Sequence, residues 1–425
     1  MLPAEVLIGD PSTEWMRLAV PLMLQEDLAT SRQVVPSFAK DGSAAYEEHA
    51  TELARTTIEE RNGKIRLQAT ITDSQTQRNR RAISLEADSA TGILAAANQL
   101  AKQIDSRAQS FPTKSVSALK AFTVAAGTQN LSERLQSLNE AVSADENFGL
   151  AHLALVETAA QAAPQTLPSV IAAGAARHNQ FAPLQRARWE ALVARYSHAP
   201  LQQQSDTAAA ILRIAPNNVD ALAALGVNRF LEGDGREGER LLRQAMALSP
   251  ANVNLPLQLA NGLIESKRFS DAITVLKPLS GNASVILALA TALLLDGKAK
   301  EAETVFQNLI GLLPAGAPAA NFLRVQWEAI STKNTRPASS AAAPSVAGYS
   351  AFLNGHFEES ARFWQSAVQQ TGDTDLRARA MLAASLDGEG KSGEAAKIRV
   401  MPFVPDLGDK DIAIAFNQMR QRLKL

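Results

Sequence analysis

Five histidines, His49, His152, His178, His198 and His356, are the side chains with which this sequence could hold a metal or move a proton near neutral pH. They stand far apart, and none has a second histidine at the spacing that places two ligands on one helix face. A metal site is therefore not expected. No cysteine is present, which removes disulfides, thiolate metal sites and a cysteine nucleophile. The full patterns of a phosphate-binding loop and a GxSxG nucleophile turn are missing, and Gly233-Asp234-Gly235, although Gly238 completes a GxGxxG spelling, reads as a turn without the Lys and Ser/Thr that would hold a phosphate. Glu237 with Glu239, and Glu358 with Glu359, are carboxylate pairs suited to acid–base work, but both lie near helix starts, where negative charge complements the helix dipole. Ser, His and Asp are all present with no pattern that gathers any three of them. The chain reads as a protein that is not an enzyme and that takes no cofactor.

The elements around these residues are helical hairpins. In the stretch 218–252, Leu222, Leu225 and Gly226 recur at helical spacing, the Gly233-Asp234-Gly235 break follows, and Leu241, Leu242, Ala245 and Leu248 form a second apolar stripe closed by Pro250. A hairpin of this length cannot bury both apolar faces alone, so it requires neighbours of the same kind. Pro216 and Pro250 stand 34 positions apart, and units of similar texture recur at 115–146, 149–178, 185–216, 253–279, 283–314, 346–370 and 376–397. Small residues such as Gly226 and Ala245 let helices approach closely, Gly233 and Gly297 release a first helix into its turn, and Pro250 and Pro314 stop a second helix.

Composition agrees with this organisation. Of 425 residues, 46% are hydrophobic but only 5% aromatic, a mixture that favours closely packed helices over large aromatic cores. Lys plus Arg number 42 against 43 Asp plus Glu, so the net charge of -1 offers no overall field for nucleic acid or an anionic membrane. No run reaches the roughly 18 apolar residues of a membrane span.

Residues 1 to about 110 have a different texture. Leu2 to Ile8 is an apolar run ended by Gly9-Asp10-Pro11, and Ser12 or Thr13 is placed to cap a helix through Trp15, Met16, Leu18, Ala19, Leu22, Met23 and Leu28. Val34-Val35 before Pro36 reads as a second strand. Leu53 to Ile58, Ile65 to Ile71 and Ile83 to Glu86 alternate with period two, Asn62-Gly63 marks a hairpin turn, and a helix is expected from Gly92 to Ala108. The order β-α-β-α-β-β-β-α describes a small α+β domain with one sheet. Gly9-Asp10-Pro11 reads as a turn and helix cap rather than a ligand loop, and Trp15 as packed under the sheet.

Two resemblances follow from these residues. The opening Leu2-Pro3 through Gly9-Asp10-Pro11 to Trp15, with the hairpin Gly63-Lys64-Ile65-Arg66-Leu67 to Asp73, resembles the TolB amino-terminal-type, FlgO-like domain. The hairpin units are similar to tetratricopeptide repeats, with Leu222, Leu225, Gly226, Gly233, Asp234, Ala245 and Pro250 at that family's defining positions. The fold class these imply is mostly α, an α-α superhelix preceded by a small α+β domain. The division expected is 1–110 for the α+β domain, 115–331 for repeats, 332–345 for a linker, and 346–425 for further repeats and a C-terminal capping helix at 409–425. That last helix, with Lys410, Arg420, Arg422 and Lys424 on its polar side, reads as a solvating cap rather than a membrane-surface element.

The repeat resemblance implies a non-catalytic interaction scaffold that binds a peptide or protein, and no nucleic acid, in a groove lined by its first helices. The groove positions are Arg186, Trp189, Val193, Tyr196 and Ser197, then Asp220, Ala223, Val227, Phe230 and Leu231, then Asn254, Leu257, Asn261, Ile264 and Glu265. Trp189 and Tyr196 are open between two roles, peptide anchors or packing residues between units. Asn261 lacks the lysine that a carboxylate-holding groove of this family would add, since Leu257 stands nearby, so a carboxylate clamp is not expected. The paired resemblances carry an alternative: the chain as the extracytoplasmic sensory part of a longer, membrane-anchored signalling protein, a kinase or a transcriptional regulator. They favour a periplasmic or anchored, bacterial location supplied by a segment before Met1, and leave the oligomeric state open.

Overall fold

A computed structural model describes residues 1–197, 199–279, 283–312, 347–348, 351–352, 354–371 and 376–400. The expected helix at 318–331, the linker at 332–345 and the capping helix at 409–425 lie outside the described residues. The chain is mostly helical with a small four-stranded sheet at its amino-terminal end, and it divides into two compact units, Met1–Ser266 and Lys267–Leu425.

The first unit begins with β1 (Glu5–Val6), α1 (Met16–Asp27), α2 (Gly42–Glu47), β2 (Glu52–Arg61), β3 (Lys64–Asp73), β4 (Asn79–Ala87) and α3 (Ile93–Ile104). The sheet runs β1-β2-β3-β4, with β1 parallel to β2 and the other pairs antiparallel. The β2–β3 register follows from its turn: Asn62 at φ 53° and Gly63 at φ 73° both take the left-handed conformation of a two-residue hairpin loop and set Arg61 opposite Lys64. One face of the sheet, carrying Ile58, Ile65, Leu67, Ala69 and Ile83, is buried against Met16, Val20, Met23 and Leu24 of α1 and Ile93, Ala97 and Leu100 of α3. Arg66 joins Glu59 and Glu86 across the opposite face, at 3.6 and 3.8 Å.

Two local expectations are corrected. Val34-Val35 is not a strand: the Ser31 hydroxyl accepts from the backbone N–H groups of Gln33 and Val34, each at 3.1 Å, and this side-chain turn takes the donors a ladder would need. Neither Ser12 nor Thr13 caps α1. Instead Asp10 accepts from Ser12 N at 2.9 Å and caps a short 3-10 turn at Pro11–Thr13.

Helical hairpins follow: α4 (Val116–Gly127) with α5 (Leu131–Ala144), α6 (Gly149–Ala162) with α7 (Leu167–Ala175), α8 (Pro183–Tyr196) with α9 (Leu201–Ile214), α10 (Val219–Leu231) with α11 (Gly235–Leu248), and then α12 (Asn254–Glu265). Ser115, Asn130, Asn218 and Asp234 cap α4, α5, α10 and α11 through side-chain oxygens that accept from the first-turn amides. The core under the sheet runs without a break into Leu119, Ala141, Phe148 and Ala151, so the sheet and the first hairpins are packed as one body. Between α10 and α11 the backbones nearly touch: a Cβ on Gly226 would lie 2.8 Å from Leu242 Cγ, and one on Gly238 2.7 Å from the Gly226 carbonyl oxygen.

The second unit contains α13 (Phe269–Leu276), α14 (Ala283–Leu295) and α15 (Ala299–Leu312), then helices Phe357–Thr371, Leu376–Gly388 and Ser392–Val400. Phe352, Trp364, Ala378, Met381 and Leu382 form the core of its later helices. The turn after a first helix is built alike in both units. Gly233, Gly297, Gly355 and Gly390 take φ between 79° and 90°, and the next residue donates to a carbonyl five positions back, as in Asp234 to Arg229 at 2.8 Å.

At the corresponding turn after α12 stands Lys267, with φ 60° and a Cβ. Because a side chain in the left-handed region costs on the order of 1 kcal/mol, Lys267→Gly is expected to stabilise the protein by up to about that amount. Urea unfolding checks this, and a loss of stability would show that the lysine side chain makes up the strain elsewhere.

Candidate functional site

The groove residues divide sharply by exposure. On α8, Arg186 is exposed, Val193 and Tyr196 are half-buried, and Trp189 is only 2% exposed. The Trp189 ring is packed edge-on to Phe181 at 5.8 Å and to His152 at 6.3 Å, and lies directly over Gly174, where no Cβ would fit. It is enclosed as a packing residue between units. On α10, Val227 is half-buried and Phe230 is 8% exposed, its ring held between Gly238 of α11 and Gly262 of α12. On α12, Asn254 and Asn261 are exposed, Leu257 is half-buried and Ile264 is 8% exposed.

What remains accessible is a set of apolar and amide side chains on α8, α10 and α12, called the stripe below. Val193 and Tyr196 are three residues apart on α8, Val227 and Leu231 four apart on α10, and Leu257 and Asn261 four apart on α12, so each pair shares one helix face. Leu231 is 53% exposed and Val253, just before α12, is 42% exposed, both large apolar side chains in water. The buried members Trp189, Phe230 and Ile264 lie beneath and fix the helices that present the stripe.

Beside the stripe is a charged region for which the sequence carries no local signal. Glu26 at the end of α1 receives two hydrogen bonds from Arg188 of α8, at 2.8 and 3.0 Å, and a third from the Gln185 amide. Asn217 donates to the carbonyls of Ser31 and Arg32, at 3.5 and 3.2 Å. Ala29 packs beside Leu184, Ala187, Ile211 and Ala215. The amino-terminal layer is thereby docked on the starts of α8 and α10, leaving a recess of about 330 Å³ bordered by Gln25, Pro36, Phe122, Arg188 and Asp220. Nearby, partial burial raises the Tyr196 phenol above its ordinary pKa. A second recess of about 390 Å³ is bordered by Asn179, Arg186, Glu190 and Arg213.

Several of the described residues with catalytic potential are engaged structurally. His152 is buried, its Nε2 3.0 Å from the Glu146 carbonyl, and burial lowers its pKa. His178 Nδ1 lies 2.7 Å from the Ala175 carbonyl, His356 pairs with Glu359 at 3.7 Å, and His49 sits in a left-handed turn. His198 lies outside the described residues. Glu237 pairs with Arg240 at 2.7 Å, Glu239 with Arg243 at 2.8 Å and Glu358 with Arg362 at 3.6 Å, each on its own helix surface. The run Gly390-Lys391-Ser392, which shares its ending with a phosphate-binding loop, is a helix–helix turn in which Lys391 binds Glu389 at 2.6 Å. Among the described residues no group of three His, Cys, Asp or Glu could hold a metal, and no helix is long and apolar enough to cross a membrane.

Solved structures similar to this chain include the tetratricopeptide repeat domain of P58(IPK), 14% identical over 79% of this chain and 95% of that one, with a TM-score of 0.23. Another is a monomeric mutant of IFIT1 with Gppp-AAAA, 15% identical over 79% of this chain and 68% of that one, with a TM-score of 0.28. No curated protein matches the chain. Residues 229–283, from the end of α10 through α13, match the tetratricopeptide repeat family, and that segment includes Phe230, Leu231 and the whole of α12.

Proposed function

We propose that the protein is a non-catalytic interaction scaffold that binds an extended peptide or a protein segment along the accessible faces of α8, α10 and α12. The observation that carries this reading is the stripe itself: Val193, Tyr196, Val227, Leu231 and Leu257 offer apolar contacts on successive first helices, and Asn254 and Asn261 offer amides beside them. Apolar side chains suit a ligand's anchors, and carboxamides suit the unpaired N–H and C=O groups of an extended backbone. The tetratricopeptide repeat match over 229–283 supports a role in protein interaction.

Peptides selected on the wild-type protein from a random displayed library are the probe. Val227→Glu and Leu231→Glu, both at accessible positions, are expected to weaken these peptides by about tenfold or more, the effect of burying an unpaired charge, with the thermal midpoint nearly unchanged. Selected peptides that bind both variants as tightly as wild type would remove the stripe from the account.

A further inference from the structure

The sheet ends on β4, whose outer edge has no strand partner among the described residues. Which backbone groups that edge presents follows from the β2–β3 hairpin. A two-residue loop makes Arg61 and Lys64 a mutually hydrogen-bonded pair, and such pairs recur at every second residue. Leu7 N donates to the Ile58 carbonyl at 2.7 Å and Leu2 N to the Ala54 carbonyl at 3.1 Å, which fits that phase, since Ile58 and Ala54 then face β1. Carried across β3, the alternation turns Ile65, Leu67, Ala69 and Ile71 toward β4, and their partners Ala87, Leu85, Ile83 and Arg81 back toward β3. Ala82, Ser84 and Glu86 are left with N–H and C=O pointing out of the sheet, and all three residues are exposed.

From Arg81 to Ala87 the strand is regular, without proline, and the register shift falls before it. Such an edge is a template for another strand unless something blocks it. Its charge pattern decides which strand fits. Arg78, Arg80 and Arg81 open the segment, and Glu86 and Asp88 close it. A second copy laid antiparallel sets the basic end of each strand against the acidic end of the other, whereas a parallel copy would superpose like charges. Centred on Ser84, the antiparallel arrangement places Arg80 opposite Asp88 and Ala82 opposite Glu86 of the second copy, with the outward-facing residues in register for hydrogen bonding. Within the chain Arg80 also pairs with Asp73 and, at 3.5 Å, with Glu52, and Lys64 pairs with Asp88 at 3.3 Å; the Lys64–Asp88 pair is exposed and exchanges neighbours at little cost, and Arg80 is itself exposed beside Asp73 and Glu52.

We propose that the β4 edge is a self-association surface, at which two copies of this chain join their sheets antiparallel about Ser84. This stands independently of the peptide-binding stripe, which lies on the helices. Sedimentation equilibrium of the full chain over a concentration series is expected to show a monomer–dimer equilibrium. Ser84→Pro removes an outward N–H that the internal ladder does not use, and Ser84→Lys sets lysine against lysine. Each is expected to raise the dimer Kd by about tenfold or more, with the circular dichroism spectrum retained. Because the chain has no cysteine, Ser84→Cys provides a single reporter whose directly opposed position suits a disulfide. It should cross-link under mild oxidation well beyond Ser117→Cys, an exposed control on α4. A wild-type chain that is monomeric at every concentration, a dimer that folded Ser84→Lys leaves intact, or equal cross-linking of the two cysteine variants would each overturn the proposal.

Discussion

Replacing Asp27 by asparagine is expected to raise the unfolding midpoint at about pH 8 and to leave it nearly unchanged at about pH 4. Asp27 ends α1 with no exposed surface, and neither of its carboxyl oxygens has a hydrogen-bond partner among the described residues. Burial pushes its pKa up to about 8, the neighbouring Glu26 adds to the rise, and Lys102 opposes it. The negative end of the α1 dipole is a further reason for the carboxyl to stay neutral. Between the ordinary aspartate value near 4 and about 8, the folded protein keeps a proton that the unfolded chain has released. Stability therefore falls as pH rises through that window, by at most about 1.4 kcal/mol per pH unit, and asparagine removes the dependence. Asp105 is the contrasting control. It accepts from Ser31 Oγ at 2.6 Å and from Arg107 N at 2.9 Å, which hold its pKa down, so Asp105→Asn is expected to lower stability near neutral pH. Urea unfolding across the pH range checks both, and an Asp27→Asn slope equal to that of wild type would place the proton elsewhere.

Trp189→Ala is expected to cost about 3–5 kcal/mol of stability, the range for emptying a large aromatic site in a well-packed core. The ring touches three separate elements, lying against His152 of α6, Phe181 before α8 and Gly174 of α7, so a small residue leaves a cavity that no single helix can close. Adding a methyl group from the other side tests the same contact: Gly174→Ala in wild type should destabilise by overpacking, and that penalty should shrink when Trp189 is already alanine. If Trp189 were instead a ligand anchor, Trp189→Ala would lose peptide with little change in stability. Measuring both quantities on the same variant separates the two roles.

The parts of the fold that were legible in the sequence are those set by local pattern. Asn62-Gly63 specifies a two-residue loop whose register propagates through β2 and β3, and the spacing of Leu222, Leu225, Gly226, Leu241 and Leu242 specifies α10 and α11. Val34-Val35 misled because its strand propensity is overridden by one hydroxyl, that of Ser31, which is itself held by Asp105 from 74 residues away. Distance in sequence also hid the Glu26–Arg188 clamp, whose partners are 162 residues apart. The stripe was legible only in outline. Helical periodicity assigns Val227 and Phe230 to neighbouring surface positions, but it cannot show that Gly238 and Gly262 open a slot for the phenyl ring and leave Val227 and Leu231 accessible. Lys267 gave no warning at all, since a left-handed turn is visible in sequence mainly where glycine marks it.

The most direct test of the scaffold reading is the position at which a bound peptide lies. A selected peptide carrying a photoreactive group, cross-linked to the full chain and mapped by mass spectrometry, is expected to leave its adducts on α8, α10 and α12, at accessible residues such as Tyr196, Val227, Leu231, Leu257 and Asn261. Adducts confined to the sheet, or to the recess beside the Glu26–Arg188 pair, would contradict it.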